Sequence, residues 1–143
     1  MTTAYIRPAA ICLIRRGKQI LVFTITDSTK GEQYVRPLGG GIEFFEHSQE
    51  TIQREMLEET GQVIESPELL EVFENRFWLE GRQHHQIMFL YEATFADVSN
   101  YEKDIFTCME GPSSFQAEWL SLQEMKARNL RPMPEGIVKY LEN

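Results

Sequence analysis

The sequence predicts a mixed α and β fold (class α+β) whose sheet is largely antiparallel. Three observations predict it. Strand-like segments rich in β-branched and apolar residues come first, one strongly helical stretch follows, and further strands and short helices complete the chain. The 143 residues are 42% apolar and 11% aromatic, which is enough for a core and excludes a disordered chain. No Pro/Gly/Ser-rich linker divides the chain, so we expect a single domain over residues 1–143.

The first third of the chain predicts a hairpin and a short strand. Residues 4–15 are mainly apolar and β-branched, and residues 19–26 repeat this character after an Arg-Gly-Lys turn. The polar residues 27–33 predict a loop. Residues 34–36 predict a short strand that leads into a run of three glycines.

The next segment is the most helical part of the chain and spans residues 49–60. Ser48 is positioned to cap its first turn by accepting hydrogen bonds from free backbone N–H groups. Gly61 is positioned to end it, because glycine adopts the left-handed conformation without steric cost.

The remaining residues predict more strands than helices. Apolar and β-branched runs bounded by turn residues indicate strands, and proline at the start of a segment indicates a helix. In chain order we expect two strands over 69–79 and 83–95 joined by a hairpin, an irregular loop over 97–112, a strand over 115–120, a short helix beginning at 121–124, and a C-terminal helix opened by Pro134.

The charge of the chain limits the partners that it can bind. Lys and Arg total 14 against 22 acidic residues, of which 19 are Glu, and the net charge is −8. Such a chain binds nucleic-acid polymers and anionic membranes poorly. A phosphate ligand remains compatible with it, provided that a divalent cation lies between the carboxylates and the phosphate.

The two cysteines, Cys12 and Cys108, have neither a CxxC partner nor zinc-ligand spacing. Cys12 lies in an apolar run and is interpreted as a core residue. The N-terminus lacks the features of a signal peptide, and no apolar run approaches the ~20 residues that span a bilayer. We therefore expect a cytoplasmic protein.

Three carboxylates share one face of the predicted helix. At 100° per residue, Glu55, Glu58 and Glu59 fall within an arc of about 100°. Like charges at this spacing disfavour a helix by roughly 0.2–0.5 kcal/mol per pair. A hard cation such as Mg²⁺ or Mn²⁺ would offset the repulsion, and Arg54 can pair with Glu58 four residues later. The alternative is a solvated acidic face with no ligand.

The glycine run before the helix supplies a second half to this candidate site. Gly39, Gly40 and Gly41 allow the backbone to approach a ligand closely, and a glycine carbonyl is a hard oxygen donor. The alternative is an ordinary glycine-rich loop.

The joint spacing of these residues is specific. It matches Gly-x5-Glu-x7-Arg-Glu-U-x-Glu-Glu-x-Gly-U, with U apolar, and residue frequencies predict such a match by chance at roughly 10⁻⁵ per chain. The fixed positions are filled by Gly40, Glu46, Arg54, Glu55, Glu58, Glu59 and Gly61. The sequence thus resembles the Nudix hydrolases, and the likeness extends through the flanking strands over nearly the whole chain.

The resemblance implies a Nudix α/β/α sandwich and hydrolysis of a diphosphate bond in a nucleoside diphosphate derivative, with Mg²⁺ or Mn²⁺ as cofactor. It implies metal binding by Glu55, Glu58, Glu59 and the Gly40 carbonyl, and catalytic roles for Glu55, Glu58 and Arg54. Arg54 and Glu46 are implied to brace the loop against the helix. Nucleoside triphosphates, nucleotide sugars and dinucleotides are all candidate substrates.

Three positions depart from the family pattern: Gln62 replaces an apolar residue, Phe45 a frequent glycine, and Thr51 a frequent alanine. No expected metal ligand is lost. The alternative function is a catalytically silent nucleotide-binding or regulatory Nudix domain, and the resemblance is compatible with a homodimer.

Weaker candidates lie outside the motif. Arg36 precedes the glycine run, and its guanidinium matches phosphate with two donors, so we expect a substrate contact there together with Gly39–Gly41. Glu110 and Glu118 are candidates for a distal general base, as alternatives to a helix glutamate. His84 and His85 point to opposite faces of a predicted strand, so we do not expect a shared metal site.

Overall fold

The computed structural model describes residues 4–142, which form a mixed sheet of nine strands with helices on both faces. The strands are β1 (Ile6–Leu13), β2 (Arg15–Arg16), β3 (Gln19–Asp27), β4 (Glu32–Gly41), β5 (Ile64–Leu79), β6 (Arg82–Phe95), β7 (Ile105–Glu110), β8 (Ser113–Ser121) and β9 (Leu130–Pro132). The helices are α1 (Ser48–Thr60), α2 (Leu122–Ala127) and two 3₁₀ helices, Val98–Glu102 and Glu135–Tyr140.

The strand order is β5-β6-β1-β4-β3-β8-β7, with β2 added to β3 and β9 added to β4. Two pairings are parallel, β1 with β6 and β4 with β9, and the others are antiparallel. The predicted α+β fold with a mixed, largely antiparallel sheet is therefore confirmed.

Each face of the sheet has its own hydrophobic core. On one face, Ile52 and Met56 of α1 pack in a cluster that includes Cys12 and Trp119. On the other face, Met125 of α2 packs with residues of the C-terminal 3₁₀ helix and the central strands. The helices thus form two outer layers around the sheet. Cys12 is fully buried, as predicted for a core residue, and burial raises the pKa of its thiol.

The central helix confirms one predicted end and corrects the other. Gly61 ends α1 with φ 73°, and its N–H donates to the Leu57 carbonyl at 2.8 Å. The residue before α1 is His47, so the prediction that Ser48 caps the helix is wrong. The Ser48 hydroxyl instead lies 2.6 Å from the Tyr91 hydroxyl on β6. The Ser48 hydroxyl, which could have capped the helix, therefore makes a tertiary contact instead.

The glycine run belongs to a strand, and β4 extends well beyond the predicted 34–36. Gly40 lies opposite Ala10 and Gly41 opposite Ala9 in the ladder with β1. Gly39 has φ 152°, and a Cβ there would collide with the Ala10 carbonyl. Glycine is therefore required because the two strands approach more closely than a side chain would permit.

The predicted irregular loop over 97–112 is wrong, because it contains a 3₁₀ helix and β7. Phe106 and Cys108 are buried while the residues between and beside them are exposed, which is the alternation of an edge strand. Because polar residues flank residues 105–110, the two-residue alternation of β7 is not recognisable in the sequence. β5 likewise begins at Ile64 rather than 69, because register shifts break its alternation near Glu68 and Leu69.

The C-terminal elements follow the prediction in part. Ser121 caps α2 by accepting from the Glu124 N–H at 3.1 Å, and the Glu124 carboxylate accepts from the Ser121 N–H. The expected C-terminal helix is a 3₁₀ helix that Pro134 precedes rather than opens. Between residues 4 and 142, no helix has the length and hydropathy needed to span a membrane.

Candidate active site

A cleft of about 630 Å³ opens between the glycine end of β4, helix α1 and the β7–β8 turn. It is lined by Arg7, Phe23, Ile25, Arg36, Gly39, Gly40, Glu55, Glu58, Glu59, Met109, Glu110 and Gly111. Most of the sequence candidates therefore share one cavity. Its walls differ in character, with carboxylates from α1 and β7, guanidinium groups from β1 and β4, and apolar side chains from β3 and β7.

Arg54 joins the loop before α1 to the carboxylates of the helix. Its Nε and Nη2 donate to the two Glu46 carboxylate oxygens at 2.8 and 3.0 Å, in a bidentate pair. Nη2 also donates to the Gly41 carbonyl at 3.1 Å. Charge-assisted, bidentate bonds are the strong class of hydrogen bond. The guanidinium therefore fixes the glycine strand, the loop and the helix relative to one another.

Glu46 receives more donors than Arg54 alone supplies. The Thr51 hydroxyl donates to Oε1 at 2.6 Å and the Glu43 N–H donates to the same oxygen at 3.1 Å. These bonds, above all those from Arg54, lower the pKa of Glu46 to about 2. Thr51 departs from the family's frequent alanine, and here its hydroxyl adds a bond to the brace.

Glu55 and Glu58 share one nitrogen of Arg54. Nη1 lies 2.9 Å from Glu55 Oε1 and 3.3 Å from Glu58 Oε2. Gly40 faces the Glu55 carboxylate so closely that a Cβ at this position would lie 2.5 Å from Oε1. The glycine therefore leaves room for an acidic side chain directly against the β4 backbone.

Glu59 is buried at the inner end of the acidic face, with 6% of its surface exposed. Its Oε1 has no hydrogen-bond partner among the described residues. Burial, reinforced by the negative charge of Glu55, raises the pKa of Glu59 to about 8, while Arg36 acts in the opposite direction. A buried carboxylate with an unsatisfied oxygen is a strong candidate to accept a cation.

These residues fit a hard divalent cation. Within residues 4–142, no three His, Cys, Asp or Glu side chains converge as a closed metal cluster. The donors are nevertheless of the right kind, because carboxylate and carbonyl oxygens are the ligands that Mg²⁺ and Mn²⁺ prefer. The unsatisfied Glu59 oxygen and the space that Gly40 leaves beside Glu55 provide a place for it.

Two guanidinium groups lie across the cleft from the acidic helix. Arg36 lies over the Phe23 ring with its Cζ 5.0 Å from the centroid, and it donates to the Pro37 carbonyl at 3.2 Å. Arg7 of β1 passes over Gly41, where a Cβ would lie 3.1 Å from its Nη2. In the described part of the chain, neither guanidinium forms an ion pair. Both therefore have donors available to an anion.

Sequence reasoning missed Arg7. The residue is the second of the mainly apolar strand β1 and has no motif around it. It reaches the cleft only because β1 pairs with β4 in a register that places Ala9 opposite Gly41. The local sequence around Arg7 does not encode the register between β1 and β4.

Several other candidates lie away from the cleft. Glu118 is paired with Arg128 at 2.8 Å on the sheet face that carries α2, because it lies opposite Val22 in the ladder. The structure thus rules against Glu118 as the distal base. His85 bonds to Glu74 and His84 stacks on Phe77, so the two imidazoles do not share a site.

Phe45 occupies the position where the family often has glycine. Its φ of 70° lies in the left-handed region that glycine favours, and 97% of its surface is exposed. Its ring does not line the cleft. The substitution therefore preserves the turn at the expense of local backbone strain.

The fold and the cleft define a class of protein, an α/β/α sandwich with an acidic helix and a glycine strand that enclose a site for a cation and an anion. Comparison with known families gives the assignment. A family model described as NUDIX domain matches residues 5–141. The chain belongs to the Nudix family, whose members are pyrophosphohydrolases and typically use a divalent metal.

Solved structures of this family share the fold. A MutT Nudix hydrolase from Burkholderia pseudomallei matches with 21% identity and a TM-score of 0.63, over 85% of this chain and 87% of that chain. A Nudix hydrolase from Nitrosomonas europaea matches with 18% identity and a TM-score of 0.64, over 96% and 86%. A MutT protein from Bacillus halodurans matches with 22% identity and a TM-score of 0.60, over 96% and 81%.

Proposed function

We propose that this protein hydrolyses the diphosphate bond of a small nucleoside diphosphate derivative, such as a nucleoside triphosphate, a nucleotide sugar or a dinucleotide. The observation that carries the proposal is the distribution of charge in one cleft. Carboxylates that fit a cation face two guanidinium groups that fit phosphate and that form no ion pair within residues 4–142. A diphosphate held between them would satisfy both walls at once.

The acidic wall is assigned to the metal. Glu55, Glu58, Glu59 and the Gly40 carbonyl would hold Mg²⁺, or Mn²⁺ in its place. When bound, such a cation neutralises phosphate oxygens, orients the diphosphate and lowers the pKa of a coordinated water. Arg54 contacts the carboxylates rather than the cleft interior, so its part in catalysis is to position Glu55 and Glu58.

The opposite wall is assigned to the substrate. Arg36 and Arg7 would bind phosphate oxygens, and the Gly39–Gly41 backbone would approach the diphosphate closely because no side chain intervenes. The apolar side chains of Phe23, Ile25 and Met109 line the same cleft and offer a surface for the less polar part of the substrate.

Two carboxylates remain as alternatives for the general base. Glu55 lies against the glycine strand, and Glu110 lines the cleft from the exposed end of β7. Removal of the water proton requires a carboxylate within hydrogen-bond reach of the attacking water. Replacement of each by glutamine, followed by pH–rate profiles, separates the two, because loss of the base removes the acidic limb of the profile.

A substrate screen tests the proposed function. Nucleoside triphosphates, nucleotide sugars and dinucleotides are incubated with the protein and Mg²⁺ in ¹⁸O-labelled water, and products are identified by mass spectrometry. We expect Mg²⁺-dependent cleavage of one phosphoanhydride, with label in one product. Glu58→Gln should lose activity, whereas the matched variant Glu68→Gln, on exposed β5 away from the cleft, should keep it.

The same screen distinguishes the alternative of a catalytically silent nucleotide-binding domain. Such a domain would bind Mg²⁺ and nucleotide without releasing a cleaved product. All the acidic residues of the motif are present, and Glu55, Glu58 and Glu59 line the cleft, which favours the enzyme. Nucleotide binding with no cleavage across the whole screen would contradict our proposal.

A further inference from the structure

The edge strand β5 presents an unusually long regular edge. It is the first strand in the sheet order, and β6 is its neighbour. Register shifts interrupt its pairing between Glu65 and Glu68 and between Leu69 and Glu71, after which residues 71–79 pair with β6 without interruption. The free backbone groups of such an edge are a template for another strand.

This regular segment does not carry the usual protection against edge pairing. Natural edges are blunted by short length, bulges, prolines or uniform charge. Here two large apolar side chains point outward, Val72 with 45% and Trp78 with 54% of its surface exposed. Between them on the same face lie one exposed acid and one exposed base, Glu74 and Arg76.

The outward residues are complementary to themselves. Asn75 is the middle residue of the segment, so antiparallel pairing about a two-fold axis at Asn75 would place Glu74 opposite Arg76 of a second copy, twice. It would also place Val72 opposite Trp78, twice. Directly opposite residues on one face of an antiparallel pair interact, and opposite charges and apolar–aromatic pairs stabilise the pairing.

Neighbouring registers lose this match. A shift that keeps the same side chains outward moves the two-fold axis by one residue. It then places Arg76 against Arg76 in one direction or Glu74 against Glu74 in the other. Like charges directly opposite each other destabilise a strand pair. The charge pattern therefore selects the register centred on Asn75.

We infer that this chain forms a homodimer in which β5 pairs with β5 of a second copy around Asn75. The interface is isologous, as expected for a two-fold dimer. Lys30 Nζ donates to the Trp78 carbonyl at 2.8 Å, so the paired stretch ends at that residue. None of the four outward side chains lines the active-site cleft, and the inference is therefore independent of the proposed hydrolysis.

Charge reversal tests the inference directly. Sedimentation of the wild-type chain from about 1 to about 500 µM should show a reversible dimer, with Kd on the order of 1–100 µM for an interface of this small size. Glu74→Arg alone and Arg76→Glu alone each create two like-charge contacts in their homodimers. Each variant should raise Kd by at least ~30-fold.

An equimolar mixture of Glu74→Arg and Arg76→Glu tests whether the two positions face each other in the dimer. In the heterodimer, arginines at 74 and 76 of one chain face glutamates at 76 and 74 of the other, so association should return to within ~3-fold of the wild-type Kd. Glu68→Arg is the matched control, because it reverses an exposed charge on the same strand outside the regular segment. It should leave association unchanged.

Three results would overturn the inference: a wild-type chain that stays monomeric over the whole range, single variants that associate like Glu68→Arg, or a mixture that fails to recover. Melting temperature and circular dichroism show that each variant is folded. Hydrogen exchange of the wild-type β5 amides, compared at low and high protein concentration, needs no variant. The alternate amides of residues 72–78 that point away from β6 should gain protection at high concentration, whereas those bonded to β6 should be protected at both.

Discussion

Replacing Glu59 by glutamine should stabilise the metal-free protein while it abolishes the proposed metal site. Glu59 is buried, and its pKa is raised from 4.5 to about 8 in the folded chain. At pH 7 the unfolded chain carries an ionised carboxylate, and folding must add a proton to it. With 1.36 kcal/mol per pKa unit, the protonation costs about 3 kcal/mol. Glutamine is neutral in both states and avoids this cost.

The sign of the effect fixes its pH dependence. The pKa of Glu59 is higher in the folded chain than in the unfolded chain. Below pH 4.5 the carboxyl is protonated in both states, so the wild type has its full stability relative to Glu59→Gln. That stability is lost as the pH rises towards 8. The variant and the wild type should therefore have similar stability near pH 4.5. Their difference should grow by up to about 1.4 kcal/mol per pH unit and level off above pH 8.

Urea unfolding in excess chelator at pH 5, 6, 7 and 8 measures this difference. Glu58→Gln is the matched control, because Glu58 is largely exposed and paired with Arg54. Its stability difference from wild type should stay below about 0.5 kcal/mol. Saturating Mg²⁺ should stabilise the wild type more than Glu59→Gln. The reasoning would be refuted if Glu59→Gln were less stable than wild type at pH 7 in chelator. It would also be refuted if their difference in unfolding free energy did not change with pH.

Three further variants test separate parts of the site. Glu58→Gln should lose at least ~10²-fold in kcat while its circular dichroism stays unchanged, because one metal ligand is gone; wild-type kcat would contradict the assignment. Arg7→Ala should raise KM for the substrate by ~10-fold with little change in Mg²⁺ dependence, since it removes a phosphate contact alone. Phe45→Gly should raise the free energy of unfolding by about 1 kcal/mol in urea titration, because φ 70° suits glycine; a loss of stability would show that the exposed ring makes a contribution of its own.

The sequence was informative where spacing along the chain determines the structure. The motif from Gly40 to Gln62 lies on one strand, one loop and one helix, so local geometry brings Gly40, Glu55, Glu58 and Glu59 to the same cleft. Gly61 ended the helix as expected because its conformational freedom is an intrinsic property. The hairpin of β5 with β6 followed from its short turn. The hairpin predicted for residues 4–15 and 19–26 is wrong except at Arg15–Arg16, because β1 pairs with β4 and β6 rather than with β3.

The sequence was uninformative where contacts between distant segments determine the position or the role of a residue. Ser48 lost its capping role to Tyr91, and Arg7 entered the cleft through the register of β1 with β4. The short alternation of β7 was hidden by polar neighbours, and Glu118 faced the other side of the sheet. The outcomes for Ser48, Arg7 and Glu118 depend on strand register or on a partner more than 30 residues away, and local periodicity encodes neither.

The contacts of Arg54 have a consequence for how the protein matures. Its guanidinium already serves as an internal counterion shared by Glu46, Glu55 and Glu58, so part of the negative charge around the site is compensated as soon as the chain folds. We therefore expect the polypeptide to fold without magnesium and to bind the proposed ion afterwards, with the bonds from Arg54 Nη1 to Glu55 and Glu58 loosened.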